Sequence, residues 1–164
     1  MKQTDALREQ LRKILTWEDA HVGFDAAVAG VPVPLRGIAP HGQPHSLWQL
    51  LEHMRLTQWD ILDFCVNPAY VGRSAEQHWP ASAAPPTDAA WDDGIALFRR
   101  DREAMRRLAA DPGIDLFSRI PQGTGQTYLR AVLLVADHNA YHVAQIVTAR
   151  RGLGIWPPAN AEHR

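Results

Sequence analysis

Two histidines four residues apart are the part of this sequence best suited to chemistry. They lie in the segment 128–151, where apolar residues recur three and four positions apart, a pattern that predicts one long helix. At 100° per residue, His138, His142 and Gln145 fall within its apolar stripe. An i, i+4 pair of imidazoles lies about 6 Å apart along one helix face, which allows both rings to bind one metal ion.

This pair needs a third ligand, and His53 is the candidate from a second predicted helix over 47–66. If the two helices run antiparallel, His53 lies about 20 Å from their shared end, and His138 and His142 lie about 16 and 22 Å from it. In a parallel pair, His53 would lie about 9 Å, measured along the helix axis, from the level of His138 and His142. The antiparallel register therefore predicts a three-histidine metal site.

Three neutral imidazoles leave open positions on a metal ion, which is typical of catalytic rather than closed structural sites. Nitrogen ligands suit zinc, nickel, iron or copper. Two familiar motifs do not fit. Asn139 stands where the zincin motif HExxH has Glu, and a di-iron bundle needs two Glu-x-x-His pairs, of which the chain has only Glu18 with His21.

Several further side chains are candidates for the pocket. His21 would reach the site from the first helix as a fourth ligand or pocket residue, although a solvated or core position is equally compatible. Gln145, Tyr141 and Asp137 are pocket candidates or partners of the ligand rings. Asp137 points toward the helix flank, which also fits a solvated carboxylate. The remaining histidines are interpreted as loop or tail residues at His41, His45 and His163, and as a pocket-mouth residue beside Trp79 at His78.

Four amphipathic helices and no convincing strand pattern predict an all-α four-helix bundle. The first helix, capped by Thr4, is expected to break near Thr16 and to continue over 17–29. The third begins at Thr87 or Asp88 and ends at Ala110. The connection over 67–86 is long enough to cross the bundle, so the second and third helices can run parallel. The expected topology is up-down-down-up.

The length and composition fit one ordinary domain over residues 1–164. Hydrophobic residues make up 46% of the chain and the net charge is -1, so no basic excess points to nucleic acid. No apolar run reaches membrane-spanning length. The one cysteine, Cys65, lies on an apolar stripe and is interpreted as a buried structural thiol. We expect a cytoplasmic protein.

Three segments together resemble the DinB/YfiT-like superfamily of metal-dependent enzymes, and most closely its DinB-like branch. They are SLWQLLEHMRLTQWDIL, IPQGTGQTYLRAVLLVADHNAYHVAQIV and RRGLGIWP. The resemblance implies an up-down-down-up bundle, and a site at His53, His138 and His142 that often holds nickel or zinc, with iron as a further candidate. It also implies a homodimer. The segment AHVGFDAAVAG resembles the branch's first helix, which favours a pocket role for His21, whereas Gln122 stands where we expect His in a PHG motif.

Relatives that use low-molecular-weight thiols suggest the leading functional hypothesis. It is a metal-dependent enzyme with thiol-dependent transferase chemistry on a small electrophile, because no carboxylate is predicted beside the histidines to serve as a general base. The alternatives are a metal-dependent hydrolase and a non-enzymatic metal- or ligand-binding module in a stress response. A purely structural polar network, with Gln145 and Asn139 satisfying the rings, is the third alternative.

Overall fold

A computed structural model describes residues 3–158, and within that range the secondary structure is helical, with no strand. The helices are α1 (Gln3–Ile14), α2 (Phe24–Val28), α3 (Leu47–Val66), α4 (Asp88–Ala110) and α5 (Tyr128–Gly152). The four long ones, α1, α3, α4 and α5, pack together, which confirms the all-α bundle. Of the helices described, none combines the length and apolarity that crossing a membrane requires. The predicted tail residue His163 lies outside the described residues.

The side chains of α1 show that it runs antiparallel to α4. Arg8, near the start of α1, donates to the carbonyls of Ala109 and Ile114 at and beyond the end of α4. Arg106, one turn earlier on α4, donates to the carbonyl of Arg12, one turn later on α1. Successive turns of the two helices therefore meet in opposite order.

Two apolar clusters fix the direction of the other three helices. One joins the first halves of α3 and α4 to the second half of α5, and the other joins the second halves of α3 and α4 to the first half of α5. Consequently α3 and α4 are parallel, α5 is antiparallel to both, and the topology is up-down-down-up. Members of the first cluster include Leu51, Met54, Phe98 and Ile146, and members of the second include Leu11, Cys65, Met105 and Val135.

A layer of buried polar side chains separates these two clusters. Gln58 Nε2 donates to the carbonyl of Phe98 at 2.8 Å, and Asn139 Nδ2 donates to Gln58 Oε1 at 2.9 Å. Because this chain of hydrogen bonds begins at a backbone carbonyl, it fixes which way both amides point. The two amides tie α3, α4 and α5 together at one level.

The first helix departs from its predicted course. α1 ends at Ile14, residues 15–23 are not helical, and α2 covers only Phe24–Val28. The prediction of a helix over 17–29 was therefore wrong. The Thr16 hydroxyl donates back to a carbonyl of α1 instead of capping a new helix. Gly23 lies directly before α2, and the side chain of Glu18 occupies the space that a Cβ at this position would need. Gly23 also has no side chain that could cap α2.

The other helix ends follow local chemistry that the sequence displays. Ser46 accepts a hydrogen bond from the amide of Gln49, whose side chain accepts from the Ser46 amide in return, and this capping box begins α3. Thr87 caps α4 by accepting from the amide of Ala90. Thr4, in contrast, lies inside α1.

Gln122, which stands where the family resemblance suggests His, has a structural contact. Its side-chain amide donates to the carbonyl of Phe64 near the end of α3. This bond fastens the loop before α5 to the neighbouring helix. It thereby helps to set the register in which α5 begins.

We expect Gln58→Ala to lower the free energy of unfolding by about 2–4 kcal/mol, because it removes two buried hydrogen bonds and leaves their partners unsatisfied. Denaturant unfolding measures the change. The matched control is Gln10→Ala at an exposed position of α1, which should stay within about 0.5 kcal/mol of the parent. Equal effects of the two substitutions would contradict the role of Gln58.

Candidate metal centre

Helices α3 and α5 bring three imidazoles to one point. His53 comes from the first half of α3, and His138 and His142 from the middle of α5, with one nitrogen of each ring within 4.8 Å of the others. His53 Nε2 lies 3.1 Å from His142 Nε2 and 3.1 Å from His138 Nε2. His53 and His142 are buried and His138 is half-buried. The antiparallel register therefore places the three rings level.

The outer nitrogens of two rings face oxygen atoms. His53 Nδ1 lies 2.9 Å from the carbonyl oxygen of His78, and His142 Nδ1 lies 2.6 Å from Gln145 Oε1. Both oxygens are acceptors, so each Nδ1 carries the hydrogen. In a neutral imidazole the Nε2 atom then holds a lone pair. The lone pairs of His53 and His142 consequently point toward the centre of the cluster.

Burial keeps these rings neutral. It lowers the pKa of His53 to about 4 and that of His138 to about 3, and it also lowers the pKa of His142. Each neutral ring has one N–H, and two of the three are committed to the outer oxygens. No proton is therefore left for the contact between His53 Nε2 and His142 Nε2. Two lone pairs 3.1 Å apart repel unless a cation lies between them.

The spacing of the inner nitrogens fits one divalent ion. Zinc binds imidazole nitrogen at about 2.0–2.1 Å, which places two ligand nitrogens about 3.3 Å apart at a tetrahedral angle and about 2.9 Å apart at a right angle. The observed separations of 3.1 Å fall between these values. The cluster could therefore hold a metal ion, and three protein ligands would leave coordination positions for another molecule.

A buried carboxylate fastens the loop that positions His53. Asp60 accepts hydrogen bonds from the Tyr70 hydroxyl at 3.1 Å and from Arg73 Nη1 at 2.7 Å, and its Oδ2 lies 3.2 Å from His78 Nε2. These bonds hold the loop after α3 against that helix. The carbonyl of His78 is thereby held against His53 Nδ1.

An indole ring covers one side of the cluster. Trp79 stacks on His53 with ring centroids 3.8 Å apart and planes 3° apart. His45, predicted to be a simple loop residue, also stacks on Trp79, at 4.0 Å. The loop before α3 and the loop after it thus meet over the first ligand ring, and they shield it from water.

The other predicted pocket residues divide into two groups. Gln145 contacts the cluster through His142, and the ring of Tyr141 stands edge-on to the same imidazole at 5.0 Å while remaining 63% exposed. His21 and Asp137 do not belong to the cluster of ligand nitrogens. Both are exposed and line a separate cavity.

The sequence also matches a known family. A family model of the DinB superfamily matches residues 16–146, a range that includes all three clustered histidines. The chain belongs to the DinB superfamily. No curated protein and no solved structure gives a significant match. For this DinB protein the identity of the metal, the homodimer and the cytoplasmic location stay predictions.

Two contacts of this DinB site were not anticipated from the sequence. Asp60 was not singled out from the sequence, and its partners Tyr70, Arg73 and His78 were assigned no role toward it. The sequence feature that could have indicated this role is a carboxylate on a mostly apolar helix, followed by a loop rich in hydrogen-bond donors. The carbonyl of His78 had no sequence signal, because a backbone acceptor depends on the path of the loop.

We expect Asp60→Asn to weaken zinc binding by about tenfold or more, because loss of the anchoring charge releases the loop that orients His53. Zinc titration against a competing chelator measures the affinity. The control is Asp63→Asn on the same helix, since Asp63 contacts Asn67 at the helix end and not the loop anchor. If Asp60→Asn binds zinc like the parent, the anchoring role is wrong.

The metal-free protein should lose stability in acid. An unfolded histidine has a pKa of about 6.5, above the values of about 4 for His53 and about 3 for His138 in the folded chain. Between these values the unfolded chain binds more protons, so the free energy of unfolding should fall as the pH drops from about 6.5 to about 4. Denaturant unfolding across this range tests the sign. His138→Gln should flatten the slope, and an unchanged slope would contradict the assignment.

Proposed function

We propose that this DinB protein is a divalent-metal-dependent enzyme that transfers a low-molecular-weight thiol to a small electrophile. The observation that carries the proposal is the composition of the donor cluster. Within residues 3–158 it consists of three imidazole nitrogens and includes no carboxylate. Zinc or nickel suits this set best, and iron is compatible with it.

A divalent ion held by these three imidazoles would act as a Lewis acid and lower the pKa of a thiol. The overall reaction forms one carbon–sulfur bond and breaks the bond between that carbon and its leaving group. The thiol proton departs with the leaving group. The chain itself therefore does not need to provide a nucleophile.

Cys65 cannot take that role. The side chain is buried, and burial raises the pKa of its thiol to about 12. It packs in an apolar cluster with Met105 and Val135, on the side of the polar layer away from His53. The sulfur nucleophile must consequently come from a second substrate.

The nearby carboxylates are engaged elsewhere, which favours thiol transfer over hydrolysis. Asp60 is bound by Arg73, and Glu52 forms an ion pair with Arg55 at 2.5 Å. Hydrolysis by activated water usually draws on a free general base beside the metal. Thiol transfer has less need of one, because a divalent ion held by the three histidines would itself lower the pKa of the thiol.

The remaining contribution of the chain is to orient the ligand imidazoles and to enclose the cluster. Gln145 holds the His142 ring through Nδ1, and the His78 carbonyl holds the His53 ring in the same way. Trp79 covers one flank with an apolar surface. The exposed phenol of Tyr141 lies at the edge of His142 and would contact a substrate that enters from solvent.

A panel assay tests the proposal. Protein loaded with zinc or nickel is given chlorodinitrobenzene with and without free cysteine or glutathione, and nitrophenyl acetate as a hydrolysis probe. We expect turnover that requires both the metal and the thiol. His138→Ala should reduce it by about a hundredfold or more, because a ligand is lost.

The matched control is His41→Ala, since His41 is an exposed loop residue that does not belong to the cluster. It should retain the parent rate. Ester hydrolysis without thiol would indicate the hydrolase instead. Stoichiometric metal without turnover of any probe would indicate a binding module, and activity that survives in His138→Ala would reject a catalytic role for the cluster.

A further inference from the structure

A second cavity, of about 480 Å³, lies apart from the histidine cluster. It is bounded by the segment 14–25, by α4 and by α5, where Ala136, Ala140 and Val143 line it. At 100° per residue, Ala140 points about 180° away from the midpoint of His138 and His142. The cavity and the metal cluster therefore lie on opposite sides of α5.

The early end of α1 creates this cavity. Residues 15–23 leave the helical path and form an outer wall that includes Trp17, Glu18 and His21. Phe24 and Phe98, stacked with centroids 3.9 Å apart, contribute an apolar surface. A volume of this size and an apolar lining are typical of small-molecule sites.

Asn139 provides an unsatisfied acceptor at this cavity. The residue lines the cavity and is only 8% exposed. Its Nδ2 is committed to Gln58, and its Oδ1 is buried. The neighbouring His138 ring interacts with this side chain, but no donor between residues 3 and 158 reaches Oδ1 with hydrogen-bond geometry. A buried carbonyl oxygen without a donor is costly, so a ligand that brings an N–H group to Asn139 would recover free energy.

The mouth of the cavity also offers acceptors and negative charge. Glu18 and Asp137 are exposed, and neither forms an ion pair within the described part of the chain. His21 Nδ1 lies 2.9 Å from the carbonyl of Val22, so its Nε2 presents a lone pair. These groups favour a ligand that donates hydrogen bonds over one that accepts them.

Arg102, the one arginine or lysine between residues 3 and 158 that lines the cavity, does not reverse this preference. Arg102 shares the Asp25 carboxylate with Arg99, at 3.0 and 2.6 Å, so these three groups keep one positive charge against the two negative charges of Glu18 and Asp137. The unbalanced carboxylates at the mouth leave a net negative potential. A cation of suitable size would be attracted to it.

We propose that this cavity binds a small molecule with an apolar body and a protonated amine. The body would contact Phe24, Phe98 and Val143, and the ammonium group would lie among the acceptors of Asn139, Glu18 and Asp137. The site is separate from the metal centre, so the proposal does not depend on the enzymatic function.

The test uses the full-length, metal-loaded protein and titration calorimetry with phenylbutylamine. Phenylbutanol and phenylbutyrate, which share the apolar body, are the comparison probes. We expect the amine to bind with one site per chain and about tenfold more tightly than the carboxylate. The double variant Glu18→Gln with Asp137→Asn should remove most of this preference, because it removes the charge at the mouth.

Cavity filling supplies the second measurement. Ala140→Phe should weaken amine binding by about tenfold or more, and Ala144→Phe, at an exposed position one turn later on α5, should not change it. Because an amine can also ligate a metal, the titration is repeated with His138→Ala, in which binding should persist.

Four outcomes would overturn the proposal. They are no saturable binding of the amine, equal binding of the carboxylate, loss of binding in His138→Ala, and no effect of Ala140→Phe. If Ala140→Phe does not fold, the double variant Glu18→Gln with Asp137→Asn provides the test instead. Retention of the full amine preference in that variant would overturn charge recognition at the mouth.

Discussion

The buried contact between two neutral imidazoles is the constraint on which the site depends. The Nδ1 hydrogens of His53 and His142 are taken up by a backbone carbonyl and by the Gln145 amide, so their Nε2 lone pairs face each other at 3.1 Å. A purely structural network accounts for the outer nitrogens and leaves this inner contact unfavourable. One cation at the centre would turn the same repulsion into coordination, and would satisfy His138 as well.

The bundle holds these rings because its packing is concentrated on either side of them. Apolar clusters occupy the two ends of the core, and a polar layer with Gln58 and Asn139 lies between. Rings carried on long helices that are packed at both ends have little freedom to move. A site built on rigid elements in this way is more precise than one carried on loops. The loop that carries His78 joins that frame through Asp60 and through the stacking of Trp79 on His53.

Much of this arrangement could be predicted because it follows from local chemistry and helical periodicity. The capping box at Ser46, the apolar stripes and the i, i+4 spacing of His138 and His142 lie in short stretches of sequence, and the antiparallel register then brings His53 level with the pair. A break near Thr16 was predicted, but the non-helical course of residues 15–23 was not, because the residues after Thr16 are compatible with a helix. The stacked Trp79 depends on a long irregular loop, whose path is set by tertiary contacts that no local pattern displays.

The most direct measurement of the central claim is metal analysis of protein purified without a histidine tag, followed by X-ray absorption at the edge of the metal found. We expect one divalent ion per chain, with three imidazole nitrogens at about 2.0–2.1 Å and at least one further light-atom ligand. A protein that takes up no stoichiometric metal after zinc, nickel and iron have each been offered would contradict the claim. A metal whose spectrum lacks imidazole scattering would contradict it equally.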